Sequence, residues 1–272
     1  MLTTYSEECS ALVFYGIEPA VSSLAGFYNG INDWSQEVCC PFDKMSVHGT
    51  GYSRKWVSFE HGDAKLQKEG FNAITSVFVV SLTPDARIPV NDYLVTAGFS
   101  AKNSYADLVC RSSITPLSRA AMLPIAGTII RSVKPTYGIG YKRLHSLGPA
   151  MYAIGIGQGL GPKGYGISSQ LTPEERAESE RISRWGNGML GRVWEKGLLR
   201  DVYPWNFLTR PHLVKQVGTI SLEKWIRQDE RRGRLEPLGD GISFWEVDDI
   251  NMSSIRKELL EADVIFDWKK HL

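Results

Sequence analysis

The chain has 272 residues, 43% of them hydrophobic and 22% charged, with a formal net charge of +1. Such proportions belong to folded globular proteins and exclude disorder by composition. The near-neutral charge leaves no bulk electrostatic attraction to nucleic acid or to an anionic membrane surface.

Taken in chain order, the first predicted elements come from hydrophobic periodicity. Residues 11–17 (ALVFYGI) read as a buried strand. Pro19 opens a helix through Trp34, with Val21, Leu24, Ala25, Tyr28 and Ile31 at helical spacing. Residues 45–50 and 56–59 are short strands, and 64–70 a helical turn ended by Gly70. The continuous apolar run 76–82 (SVFVVSL) is a central strand. With 93–99 and 105–114 it predicts an antiparallel meander. Residues 118–133 have helical spacing, with Ser118 as N-cap and Pro124 placed to kink the helix. Residues 137–143 are a further strand.

Residues 148–170 hold seven glycines and read as a loop or hinge. Thr172-Pro173-Glu174-Glu175 is a helix start: an N-cap, proline at the first helical position, then acids in the first turn. That helix is predicted to run to about Trp185. Residues 221–232 form an amphipathic helix capped by Ser221 and stopped by Gly233. A strand at 241–247, a helix at 253–262 and a short strand at 264–268 complete the chain. Strands grouped beside helices, without βαβ alternation, predict an α+β fold. It is a mostly antiparallel sheet with helices packed on it, in two similar-sized halves. These are 1–147 and a helix-rich 171–272 packed on the first, joined by the glycine-rich segment.

Signatures for common chemistries fail on spacing. Cys9, Cys39, Cys40 and Cys110 form no C-x-x-C pair, and Cys39 and Cys40 are adjacent; buried structural thiols are expected. The five histidines include no H-x-H and no H-E-x-x-H, and no G-x-S-x-G elbow exists. Gly159, Gly161 and Gly164 fit G-x-G-x-x-G, yet Pro162 lies inside the turn and the helix start waits until Thr172. A phosphate cradle needs the helix at once, so no cofactor is expected. The acidic start (Glu7, Glu8) and the lack of a spanning apolar run read as a cytoplasmic chain with reduced thiols.

Two site hypotheses survive. Glu246 and Asp248 end a strand, and Asp267 and Lys269 form a D-x-K pair. Together they could hold a divalent metal beside a scissile phosphate, as in a metal-dependent nuclease or other hydrolase. The second is the segment Leu199–Thr209, where Tyr203, Trp205 and Phe207 follow Arg200 and Asp201. It reads as too polar for a core strand and too aromatic for a spacer. Set between two helices, it is first a structured connection, and second a set of partner-binding anchors. A small-molecule sensor built beside Gly155–Gly164 is a third reading, and it requires a deep pocket there.

Several stretches also resemble a known family. They are Pro135-Thr136-Tyr137-Gly138-Ile139-Gly140-Tyr141, the run from Gly197 to Leu208, Leu222 to Ile226, Gly233 to Leu235, and Trp245 to Val247 before a final helix. Over roughly residues 76 to 268 this layout resembles cytosolic immunity proteins of bacterial polymorphic-toxin and type VI secretion systems. The resemblance implies a non-enzymatic α+β protein that binds and occludes a cognate toxin. It carries no catalytic set, and the glycine-rich insertion has no place in it.

Overall fold

A computed structural model describes residues 7–84, 86, 92–155, 160–161, 164–165, 185, 192–267 and 270. The fold is α+β. The first half supplies strands β1 (Glu8–Tyr15), β2 (Lys44–Gly49), β3 (Trp56–Ser58), β4 (Ile74–Leu82), β5 (Tyr93–Ser100), β6 (Tyr105–Arg111) and β7 (Tyr137–Leu144), and helices α1 (Val21–Glu37), α2 (Phe59–Glu69) and α3 (Arg119–Val133). The five-residue helix α4 (Pro149–Ala153) follows, inside the stretch expected to be loop. Leu160–Gly161 and Gly164–Tyr165 pair as a small hairpin, β8 and β9. The second half adds β10 (Trp205–Leu208), α5 (Arg210–Leu213), the hairpin β11 (Gln216–Val217) and β12 (Ile220–Ser221), α6 (Leu222–Arg227), β13 (Arg234–Gly239), β14 (Ile242–Glu246) and α7 (Asp249–Glu261).

Ten strands form one sheet, in the order β13-β14-β10-β7-β1-β6-β5-β4-β2-β3, and every neighbouring pair is antiparallel. The meander β4-β5-β6 is present as expected. The two sequence halves therefore share a sheet, joined where β10 pairs with β7. Their helices divide by face. α1, α2 and α3 pack with Leu12, Phe14, Val77, Leu108 and Phe207 on one side. α4 to α7 pack with Ala11, Val13, Tyr15, Val109 and Tyr137 on the other. Covering both faces explains why β6 and β10 are buried at every position and β1 at all but its first, instead of alternating.

Local signals set several boundaries. The Ser118 side chain accepts a hydrogen bond from the Ala121 amide at the start of α3, and Ser221 does the same for Lys224 in α6. The helix expected over 221–232 is broken: α6 stops at Arg227, and Glu230–Arg232 is a separate 3-10 turn before Gly233. Of the strand expected over 264–268, the described residues 264–267 show one parallel bridge, between Leu199 and Ile265. Cys9, Cys40 and Cys110 are buried free thiols, while Cys39 is exposed. No helix among the described residues is long and apolar enough to cross a membrane. The helix expected from Thr172 lies outside the described residues except Trp185, which is helical and buried.

Candidate functional site

The segment read as too polar for a core strand is one. β10 lies between β7 and β14 with all four residues buried. Asn206 is tolerated because its side chain is satisfied: its amide donates to the Tyr203 carbonyl at 2.7 Å, and its oxygen accepts from the Tyr203 N–H at 3.2 Å. Two of the stretches singled out in the sequence turn out to be cross-strand partners. Trp205 faces Gly140 and Phe207 faces Gly138. A Cβ on Gly140 would sit 2.9 Å from the Trp205 Cβ, so the Gly-Ile-Gly alternation of β7 clears the space the β10 rings fill.

Arg200, Asp201, Tyr203, Trp205 and Phe207 are all buried, none more than 6% exposed. Trp205 and Phe207 are core residues, with ring centroids 5.2 and 5.4 Å from Phe244. They have no surface to offer a partner. Arg200 instead clamps α4. Its guanidinium donates to the Tyr152 carbonyl at 2.6 Å, the Ala153 carbonyl at 3.2 Å and the Tyr15 hydroxyl at 2.7 Å. Tyr15 donates to the Ala153 carbonyl and Tyr141 to that of Pro149, each at 2.7 Å. A five-residue helix is not stable alone. These three side chains fix it to the sheet through the carbonyls of Pro149, Tyr152 and Ala153. The Tyr152 ring lies between two guanidiniums, Arg143 at 4.3 Å and Arg200 at 4.4 Å.

Replacing Arg200 by alanine relieves the burial of a cation, but it removes three buried hydrogen bonds and opens a void between rings. We expect a net loss of ~2–3 kcal/mol in chemical denaturation, with less from Arg200→Met. A variant as stable as the parent would refute the clamp.

Two cavities flank α4. The first is a cleft of about 310 Å³ lined by Glu8, Lys142, Arg143, Tyr152, Asp201, Tyr203, Asp249, Met252 and Arg256, among others. Asp201 accepts from Arg256 Nε at 2.6 Å and from the Val202 amide at 2.8 Å. Of the five suggested anchors, then, only Asp201 and Tyr203 reach a cleft wall. Two apolar residues on the elements that form it are exposed without lining it: Ile250 in the first turn of α7, at 89%, and Leu144 at the end of β7, at 41%.

The second cavity, about 390 Å³, lies on the same sheet face and is walled partly by Ala150 and Met151 of α4 and by Ile154. It adjoins the beginning of the glycine-rich segment; residues 156–159 lie outside the described ones. Asp107 of β6 lines it and is 6% exposed. No described residue donates a hydrogen bond to its carboxylate. Burial alone raises its pKa to about 8. The sequence reading passed over Asp107. A single acid in the run Tyr-Ala-Asp-Leu-Val-Cys was the available signal.

Of the three acids and one lysine of the metal reading, Glu246, Asp248 and Asp267 lie among the described residues. Glu246 turns to Arg119 at the start of α3, 2.8 Å away, where Arg119 also holds Glu236. Asp248 is exposed at the mouth of α7, with no side-chain cap bond. Lys269 lies outside the described residues. Among the described residues, no group of three His, Cys, Asp or Glu side chains could hold a metal ion.

No family model and no curated protein matches the sequence. A solved structure, the Pseudomonas aeruginosa T6SS protein PA0821, is similar in fold, with a TM-score of 0.58 at 8% identity. The likeness covers 95% of this chain and 73% of that one.

Proposed function

We propose that this protein is an immunity-type inhibitor in a type VI secretion setting, neutralising a cognate effector by binding and occluding it. The observation that carries the reading is the fold likeness to a T6SS protein over 95% of the chain. The sequence resemblance to immunity proteins points the same way. The recognition surface we assign is the cleft between β7, α4 and α7, not the aromatic segment. It offers both charges, with Glu8 and Asp249 opposite in sign to Lys142 and Arg256, around a preformed hollow. Val202 and Met252 add apolar surface to its lining, the arrangement of an apolar centre within a polar rim.

The test is a co-expression protection assay with the effector recovered from the native host, backed by a measured affinity. Wild type is expected to restore growth. Asp249→Ala, a change at an exposed lining residue, should weaken the complex by at least about tenfold, with little change in melting temperature. Lys142→Glu should change the association rate and its salt dependence. If both variants protect and bind like wild type, the cleft is not the recognition surface. If no effector is neutralised by the wild type, the inhibitor reading itself is lost.

A further inference from the structure

Asp107 stands in a row of residues that the register aligns across one face of the sheet. Asp107 is opposite Gly98, Gly98 opposite Phe78, Phe78 opposite Ser46, and Ser46 opposite Trp56. Directly paired residues share a face. At about 4.8 Å per strand, the acid and the Phe78 backbone lie roughly 10 Å apart. Gly98 is the gap between them. A Cβ there would meet the Asp107 Oδ1 at 2.6 Å and the Phe78 ring at 2.9 Å. The missing side chain leaves the carboxylate open to the cavity.

A carboxyl group buried with no donor is costly, and buried polar groups are almost always satisfied. This one faces a 390 Å³ hollow, a volume that suits a small molecule. Phe78, Trp56, Met151 and Ile154 supply apolar and aromatic wall, and Ser46, Thr96 and Asn103 add uncharged polar groups. The other charged groups do not oppose a cation at the floor. His48 stands at the far side against Phe78, at 5.4 Å. Burial, helped by Arg54, holds its pKa below the ordinary histidine value, so it is neutral at neutral pH. Arg54 is exposed, in the turn between β2 and β3, and burial keeps the Tyr105 hydroxyl protonated. One carboxylate without companions does not make a metal site.

We propose that this cavity binds a small organic cation, an ammonium-bearing molecule with a compact apolar body. Its head group would sit on the Asp107 carboxylate and its body against Phe78, Trp56 and Met151. The inference is independent of the inhibitor reading: it concerns a different cavity and a different class of ligand. An ammonium would supply the hydrogen bonds the carboxylate lacks, and the rings would add cation–π attraction.

The experiment is calorimetric titration of the full chain at pH 8, because burial raises the Asp107 pKa to about 8, with backbone NMR to locate the site. The probes are 2-phenylethylamine, 2-phenylethanol and 3-phenylpropionate, which share a body and differ in head group. The amine is expected to bind, with shifts at Gly98, Phe78 and Asp107. The alcohol and the acid should bind at least about tenfold more weakly. Asp107→Asn should lose at least about tenfold in amine affinity; it removes a buried charge without changing shape, so the fold survives. Gly98→Ala should block the site sterically. Equal affinity for amine and alcohol, an unaffected Asp107→Asn variant, or no amine binding at millimolar concentration would each overturn the proposal.

Discussion

Replacing Trp205 by alanine is expected to lower the stability of the protein by ~3–5 kcal/mol. The residue is 3% exposed in an interior strand, edge-on to Phe244 at 5.2 Å and stacked across from Gly140. A truncated tryptophan usually leaves a void that neighbours partly refill. Here the neighbour is a glycine with no side chain to move, which argues for the upper part of the range. Urea denaturation followed by circular dichroism would measure the loss. A loss below about 1 kcal/mol, together with a large drop in effector affinity, would return Trp205 to the role of contact anchor.

Acid is expected to act through His212. Its imidazole is fully buried, stacked on Tyr137 at 5.1 Å and within 3.2 Å of the Thr209 hydroxyl. Burial lowers its pKa to about 3, with Lys215 acting in the same sense. In the unfolded chain it takes up a proton near the ordinary value of about 6.5. Between those values the unfolded state holds the extra proton, so stability rises with pH. The stabilisation is complete above about 6.5 and is lost as pH falls from there toward about 3. Its full size is on the order of 4–5 kcal/mol. A His212→Phe variant should flatten the pH dependence across that window while keeping the contact with Tyr137. An unchanged slope would mean that other groups control acid unfolding.

Much of the fold was legible because local signals and final structure agree. The run SVFVVSL announced β4, and two polar turns announced the meander with β5 and β6. Ser118 and Ser221 announced their helices by chemistry that the folded chain uses. β13 was missed because it carries Pro237 and Gly239, residues that argue against a strand unless it lies at an edge, and β13 is the edge. β10 was misread for a different reason. Arg200 and Asp201 look like surface residues until their partners are known, and those partners come from Tyr15, α4 and Arg256, far off in sequence. The cavity was illegible for the same reason: only the register shows that Gly98 stands opposite Asp107.

The division of helices by sheet face has a consequence for biosynthesis. A nascent chain extended only as far as Leu147 could pair β1 to β7 and cover one face with α1, α2 and α3. The opposite face, with Val13, Tyr15, Tyr137 and Ile139, would stand bare, and β7 would present an open edge to any strand nearby. Both are closed only when β10 and the later helices emerge from the ribosome. The interval between those two events is when this protein would be most prone to aggregation and most in need of a chaperone.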